Sequence, residues 1–347
     1  MQNSNMIKAG VLALLIFFLA AISWEFYLRH NGVTISFDDN EALWSNKRAM
    51  VYEPQNQATV FIGSSRIKFD LDIPTWEAIT GKHAIQLANV GSDPMPYLED
   101  LANDKNFKGN LVIDVTEGLF FSEYNSGDYL TNKRINYYKK ITPTQRFSFL
   151  VNEALESKFV FLDQEYLSIN AMLDHIKLSK RPGVFPDPLF PLDFDRTSFE
   201  RQSLMDHRFL ADTSIQNEVK KIWLFFASVD TAAPISGRKL DTMFNLIESD
   251  VEKIKARGGQ VLFVRTPSSG PYRQAEIHGY PRKEYWDRLL AVTGCPGIYF
   301  EDYPGIAHLE CPEWSHLTPS DAIIYTRNLI RILQQEKRMQ QFPKKPA

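Results

Sequence analysis

The stretch Ala58-Thr59-Val60-Phe61-Ile62-Gly63-Ser64-Ser65-Arg66 decides the fold. Its first five residues favour a strand, and the glycine and two serines that follow are typical of a turn. A short apolar run that ends in such a turn predicts a buried strand followed by a helix. In open parallel sheets, ligands bind at the edge where the strands end. We therefore expect the Ser65 hydroxyl at that edge, beside backbone N–H groups that can face a developing negative charge.

Four further strands are predicted along the chain, at 83–89, 111–115, 260–265 and 297–303. Helical segments alternate with them, and the last helix begins at Thr318-Pro319-Ser320-Asp321, which has a capping threonine and a proline at the first position. Alternating strands and helices at short spacing predict an α/β fold with a parallel sheet of five strands.

The alternation stops between residues 119 and 237, where no strand pattern extends the sheet. This segment predicts a mostly helical and irregular insertion over the open edge of the sheet. Loops of this size are usually functional or disordered, and the aromatic content argues against disorder. We expect a domain at 58–337, preceded by a polar stalk at 29–57 and followed by a tail at 338–347.

The N-terminus predicts a membrane span. Residues 9–28 read AGVLALLIFFLAAISWEFYL, with Glu25 as their only charge. A helix of this length extends about 30 Å, the thickness of a bilayer core. Lys8 precedes the span and acidic residues dominate after it, so the positive-inside rule places residues 1–8 in the cytoplasm. We expect a single-pass anchor in the cytoplasmic membrane with the bulk of the chain periplasmic. The alternative is a cleaved signal peptide, which also exports the domain.

Composition excludes several classes of partner. The 347 residues have a net charge of −3 and no basic run, which argues against a nucleic-acid surface. No cysteine or histidine spacing resembles a zinc site, and no organic cofactor is expected. Cys295 and Cys311 are the only cysteines. In an exported protein such a pair forms either a disulfide or two buried free thiols.

The ends of the predicted strands bring together residues suited to nucleophilic catalysis. A serine hydroxyl such as that of Ser65 needs a base to remove its proton, and His316, just beyond the fifth strand, can serve as that base. Glu313 lies three residues earlier in a Glu-Trp-Ser-His turn and can orient the imidazole. Asp302 and Glu310 are alternative acids. The alternative is that Ser65 belongs to a serine-rich turn and has no catalytic role.

Two more polar residues follow strands at the same edge. Arg265 either holds a substrate anion or forms a salt bridge with a neighbouring acid. Glu117 either replaces a missing polar group of the site or has no part in it. Both are retained as possible accessory residues.

These motifs resemble those of the SGNH, or GDSL-type, serine hydrolases. Gly63-Ser64-Ser65 is similar to the Gly-Asp-Ser motif of that family, with Ser65 at the nucleophile position. Gly91 matches the glycine after the second strand, whose N–H helps to form the oxyanion hole. Glu313-Trp314-Ser315-His316 is similar to the family's Asp-x-x-His motif. The resemblance covers 58–119 and 238–335, and it implies a three-layer α/β/α sandwich with a flavodoxin-like sheet.

Two positions depart from the family pattern. Thr116-Glu117-Gly118 replaces a Gly-x-Asn-Asp turn, so the oxyanion hole lacks an asparagine donor, a loss that can lower the rate about 10²–10³-fold. The triad acid is also a glutamate instead of an aspartate.

The resemblance implies a membrane-anchored serine esterase or O-acyltransferase. Ser65, His316 and Glu313 form the triad, and the N–H groups of Ser65 and Gly91 hold the oxyanion. No metal or cofactor is implied. The substrate is an ester, such as O-acetyl groups of an envelope polysaccharide, and four tyrosines of the insertion are candidates for stacking on sugars: Tyr124, Tyr129, Tyr137 and Tyr138. The alternatives are a weakly active or inactive binding or assembly module of the envelope and a lipid esterase or thioesterase.

Overall fold

The structure, a computed structural model, describes residues 2–122, 129–174, 176, 188–229 and 233–336. The chain forms two compact units. The smaller unit comprises Met1–Asp38 and Pro143–Phe185, and the larger unit comprises Asp39–Thr142 and Pro186–Ala347. The middle of the expected insertion therefore groups with the N-terminal helix and not with the sheet. The expected tail at 338–347 lies outside the described residues.

The larger unit is built on a parallel sheet of five strands, as predicted. In chain order the strands are β1 (Ala58–Ile62), β2 (His83–Gln86), β3 (Asn110–Asp114), β4 (Asp195–Thr197), β5 (Ser203–Met205), β6 (Gln260–Arg265) and β7 (Gly297–Tyr299). The sheet has the flavodoxin-like order β2-β1-β3-β6-β7, while β4 and β5 pair antiparallel in a separate ribbon. The order reverses between β1 and β3, and ligands bind at such a switch point in open α/β sheets.

The sheet is buried because helices cover it. Every residue of β1 and of β3 is buried, as expected for parallel strands that have helices on both faces. The helices are α1 (Gln2–His30), α2 (Glu41–Ala49), α3 (Ser65–Asp70), α4 (Ile73–Thr80), α5 (Met95–Asn103), α6 (Glu117–Phe120), α7 (Tyr129–Lys140), α8 (Pro143–Glu156), α9 (Gln164–Leu167), α10 (Ile169–Asp174), α11 (His207–Ala211), α12 (Thr213–Val229), α13 (Gly237–Ala256), α14 (Gly270–Gly279), α15 (Trp286–Thr293) and α16 (Pro319–Gln335). In the larger unit, α3, α4 and α16 pack together, and α5, α13 and α15 form a second group, which gives a three-layer α/β/α fold.

The stretch 29–57 differs from the expected stalk, since its second half folds into the larger unit. The Asn40 side chain caps α2 by accepting the N–H groups of Ala42 and Leu43 at 2.9 and 3.1 Å. Trp44 on α2 is buried in the main core, and its indole donates to the carbonyl of Leu87 at 3.0 Å. The polar neighbours of Trp44 made this segment look like a stalk in the sequence. Burial of the Trp44 side chain nevertheless attaches the helix to the larger unit.

The N-terminal helix fits the length of a membrane span. Within Asn5–His30, a window of 18 residues has a mean hydropathy of 2.4, and most side chains of the helix are exposed. At 1.5 Å per residue, 26 residues extend about 39 Å, more than the hydrocarbon core of a bilayer. The helix is therefore long and apolar enough to cross a membrane.

Both cysteines are free and buried. The Cys295 thiol faces the carbonyl of Thr293 at 3.7 Å, and the Cys311 thiol faces the carbonyl of Pro267 at the same distance. Of the two alternatives that the sequence leaves open, the structure shows the free thiols, because each sulfur is directed to a different carbonyl. The expected disulfide is not formed.

Candidate active site

The turn after β1 holds Ser65 at the first position of α3. Ser64 caps this helix, since its Oγ accepts the N–H of Arg66 at 3.4 Å and lies 2.6 Å from Thr116 Oγ1. Gly63 leaves no room for a side chain, because a Cβ there would lie 2.6 Å from Asp114 Cβ on β3. The ends of β1 and β3 therefore meet closely at the switch point. Ser64 serves the turn, and Ser65 is left half-buried at the edge.

The second half of the site is the turn from Glu313 to His316, as the sequence predicts. Oε1 of Glu313 accepts the backbone N–H of His316 at 2.6 Å and lies 2.9 Å from its Nδ1. Trp314 has a φ of 82°, a rare conformation for a residue other than glycine, and this bend folds the carboxylate back onto the ring. In the neutral ring this contact puts the hydrogen on Nδ1, which faces the carboxylate, and leaves the lone pair on Nε2.

Glu313 is held by a residue that the sequence did not reveal. Its side chain is fully buried, and its Oε2 accepts the indole N–H of Trp223 at 2.5 Å. A buried carboxylate is costly unless it is hydrogen-bonded, and Trp223 supplies this bond from α12. Ninety positions separate the two residues, so no local pattern could have paired them.

Helix α3 and the His316 turn touch at three points. The Phe69 ring stacks on His316 with 4.3 Å between centroids, the N–H of Leu317 donates to Asp70 Oδ1 at 2.9 Å, and Arg66 Nε reaches Ser315 Oγ at 3.4 Å. Phe69 follows Ser65 by four residues, so the two side chains share one face of α3. The nucleophile candidate therefore lies one turn from the residue on which His316 stacks.

His316 is enclosed by aromatic rings. Besides Phe69, the rings of Phe194 and Trp223 lie 6.1 and 6.0 Å from it between centroids. Its Nε2 atom is buried and has no hydrogen-bond partner among the residues that the structure describes, so the expected hydrogen bond from Ser65 Oγ to His316 is not formed. A buried ring nitrogen with a free lone pair is the form of histidine that can accept a proton.

Gly91 lies in the turn after β2, beside the turn of Gly63. The N–H of Asn89 donates to the carbonyl of Gly63 at 3.2 Å, which joins the two turns. Within the described part of the chain, the backbone N–H groups of Ser65 and Gly91 make no hydrogen bond. Both donors proposed for the oxyanion hole are therefore available to a ligand.

The two accessory candidates are bonded to each other. Arg265 Nε donates to Glu117 Oε1 at 2.9 Å, its Nη2 donates to Oε2 at 3.1 Å, and its guanidinium also pairs with Glu276. Arg265 is fully buried. Of the two alternatives for Arg265, the structure shows the salt bridge. The roles of Arg265 in holding a substrate anion and of Glu117 in replacing a polar group of the site stay predictions.

A buried ion network continues from this pair to the residue after Ser65. Arg66 pairs with Glu276, which also accepts the Ser268 hydroxyl at 2.6 Å. Burial opposes ionisation of Glu276, but the charges of Arg265 and Arg66 outweigh it and lower the pKa of the carboxyl to about 2. The charge-assisted hydrogen bond between Arg66 and Glu276 therefore holds the first turn of α3 in place.

The structure does not place the alternative acids, Asp302 and Glu310, beside His316, and it shows none of the candidate sugar-stacking tyrosines there. Asp302 pairs with Arg282 on the surface, at 2.6 and 2.7 Å, and Glu310 is exposed, so Glu313 is the acid that meets His316. Tyr138 packs edge-on against the buried Trp44, and Tyr137 is half-buried. Tyr124 and the side chain of Tyr129 lie outside the described residues. No tyrosine of this set is shown at the site.

Comparison with known proteins leaves the family open. No model of a protein family matches the chain, and no curated protein matches it. The resemblance to SGNH hydrolases therefore stays a prediction from the sequence motifs around Ser65 and His316.

Proposed function

We propose that the chain is a membrane-anchored serine esterase or O-acyltransferase of the SGNH type. The observation that carries the proposal is the state of the His316 ring. Its Nδ1 is fixed by Glu313, its Nε2 is buried without a partner among the described residues, and the ring stacks on the helix that Ser65 begins. This combination suits a general base for a serine hydroxyl.

The reaction proceeds through an acyl-enzyme. Ser65 Oγ attacks the carbonyl carbon of an ester while its proton passes to His316 Nε2. The ester C–O bond then breaks, and the leaving alkoxide takes that proton from the imidazolium. Water or an acceptor alcohol attacks the acyl group by the reverse sequence, which completes hydrolysis or transfer.

The remaining residues stabilise charge. Glu313 faces Nδ1 and stabilises the imidazolium, and Trp223 holds the carboxylate in place. The N–H groups of Ser65 and Gly91 bind the oxyanion. Glu117 is hydrogen-bonded to Arg265 and, as a carboxylate, does not supply the N–H donor of the asparagine in the family pattern, so we expect a slow enzyme.

The first test is covalent labelling of the full chain in detergent by a fluorophosphonate probe, which reacts with activated serines. We expect labelling of the Ser65 peptide, its loss in Ser65→Ala and a fall of at least about 10³-fold in His316→Ala. Ser228→Ala, an exposed serine on α12, is the matched control and should label like wild type. Labelling that survives in Ser65→Ala contradicts the proposal.

Substrate class is tested with the same variants. Acetate release or transfer on acetylated glycans is compared with acyl release from lysolipids, using wild type and Ser65→Ala. We expect Ser65-dependent turnover of the glycan esters. Turnover of lysolipids alone assigns the protein to the lipid esterases. No Ser65-dependent turnover of either class, together with no labelling, favours the binding module.

A further inference from the structure

The smaller unit joins the end of α1 to a later part of the chain. Arg29 Nη2 donates to the carbonyl of Lys158 at 2.7 Å. The Glu25 carboxylate accepts the N–H groups of Val160 and Phe161 at 3.2 and 3.1 Å. These bonds cross about 130 positions of sequence, and they attach the segment after α8 to the last turns of the apolar helix.

The attachment point lies where a spanning helix leaves the hydrocarbon. Trp24 and Tyr27 stack there, with ring centroids 5.4 Å apart, and such aromatic residues prefer the boundary between membrane and water. The Glu25–Arg29 ion pair, at 2.6 Å, also belongs in the polar boundary. If α1 crosses a membrane, its hydrogen bonds hold the turn at Val160 at the surface of that membrane.

Helix α8, just before this turn, presents an uncovered apolar stripe. Phe147, Leu150, Val151 and Leu155 recur at helical spacing and are exposed, Phe147 by 68% and Leu150 by 57%. No residue of α8 is buried. An isolated helix of 14 residues is marginal in water, and most helices in proteins depend on a covered apolar face. The exposed apolar side chains of α8 therefore indicate that this helix binds something outside the smaller unit.

Helix α10, on the other side of the attachment point, repeats the pattern. Ile169 is exposed by 73% and Leu173 by 55%, and Met172 is exposed beside them. None of its residues is buried. Two short helices that flank one surface point and carry exposed apolar stripes match the amphipathic helices that lie in a membrane interface.

We propose that α8 and α10 lie in the interface of the membrane that α1 crosses, with their apolar stripes toward the acyl chains. The proposal rests on the anchor part of the proposed function. The bilayer is the occupant that the structure favours, because the hydrogen bonds to Glu25 and Arg29 already place the segment beside it. The chain is then bound to the membrane by the spanning helix α1 and by the apolar side chains of α8 and α10 at the interface.

The test places a polarity-sensitive fluorophore on single introduced cysteines of the full chain in liposomes. Phe147→Cys lies in the α8 stripe, and Asn152→Cys, also exposed, lies on the opposite face of the same helix. Cys295 and Cys311 are buried, so the unmutated chain gives the labelling background. We expect blue-shifted emission and quenching by spin-labelled lipids at position 147, at least about twofold stronger than at position 152.

Leu15→Cys, in the middle of α1, separates the possible failures. Deep quenching at position 15 without quenching at position 147 overturns the interfacial patch and leaves the anchor intact. No quenching at either position removes the anchor as well. Equal quenching at 147 and 152 contradicts an oriented helix. A blue shift at 147 that lipid quenchers do not reach, and that disappears when the protein is diluted in lipid, assigns the stripe to a second copy instead. Ser65→Ala should leave all these readings unchanged.

Discussion

At the residue scale, the environment of Glu313 determines whether His316 can work. One oxygen faces the histidine, and the other accepts the indole N–H of Trp223 at 2.5 Å. We predict that Trp223→Phe, which keeps an aromatic ring but removes the donor, lowers the rate of fluorophosphonate labelling about 10–100-fold. The physical reason is the loss of a hydrogen bond to a buried charge, about 1.5–3 kcal/mol.

The control for this variant is Leu224→Ala, at an exposed residue of the same helix. It should label at the wild-type rate. Normal labelling by Trp223→Phe would show that Glu313 is positioned by its own turn alone, without help from α12.

The residue scale also shows where sequence reasoning reaches its limit. The three-residue spacing of Glu313 and His316 was visible, because the pair belongs to one turn. Trp223 and Asp70 were not, since each meets the turn from a distant part of the chain. Arg265 was visible as a polar residue at a strand end, but its partner Glu117 became evident only in three dimensions.

At the element scale, the His316 turn is braced by the start of α14. The N–H of Ser269 donates to the carbonyl of Trp314 at 2.9 Å, and Ser269 Oγ accepts the N–H of Cys311 at 2.8 Å. Gly270 has a φ of 54°, and a Cβ there would lie 2.8 Å from the Trp314 ring. We predict that Gly270→Ala destabilises the protein by about 1–3 kcal/mol and also slows Ser65 labelling.

The matched control is Gly81→Ala. Gly81 has a similar φ of 65°, and a Cβ added there would have no other atom within 4 Å among the described residues. It should lose stability through the same backbone strain, as measured by urea unfolding, and label normally. Equal labelling of both variants would mean that Trp314 yields without moving His316.

Elements with a clear period were predictable, and short ones were not. The five strands of the sheet are buried apolar runs between turn residues, so their number and type followed from the sequence, while their flavodoxin-like order was implied only by the resemblance. Helix α2 was missed because its nine residues include several polar ones. Strands β4 and β5 have three residues each, too few for a two-residue period to appear.

At the scale of the whole molecule, the flanks of α1 predict the side of a membrane on which the sheet lies. We predict that a phosphatase reporter, active only outside the cytoplasm, is active when fused after Ala347, because Lys8 and the N-terminus are the positive flank of α1. A cytoplasmic reporter fused at the same place should be silent. The reverse pattern would invert the topology and place Ser65 in the cytoplasm.

The two free cysteines have a consequence for the lifetime of the protein. Burial raises the pKa of both thiols, that of Cys311 well above its usual range. Oxidants attack the thiolate and not the thiol, so these sulfurs are chemically quiet. Because the folded chain contains no bridge between Cys295 and Cys311, this fold does not depend on closing a disulfide. Once the chain is folded, burial also keeps both thiols from forming bridges with other molecules.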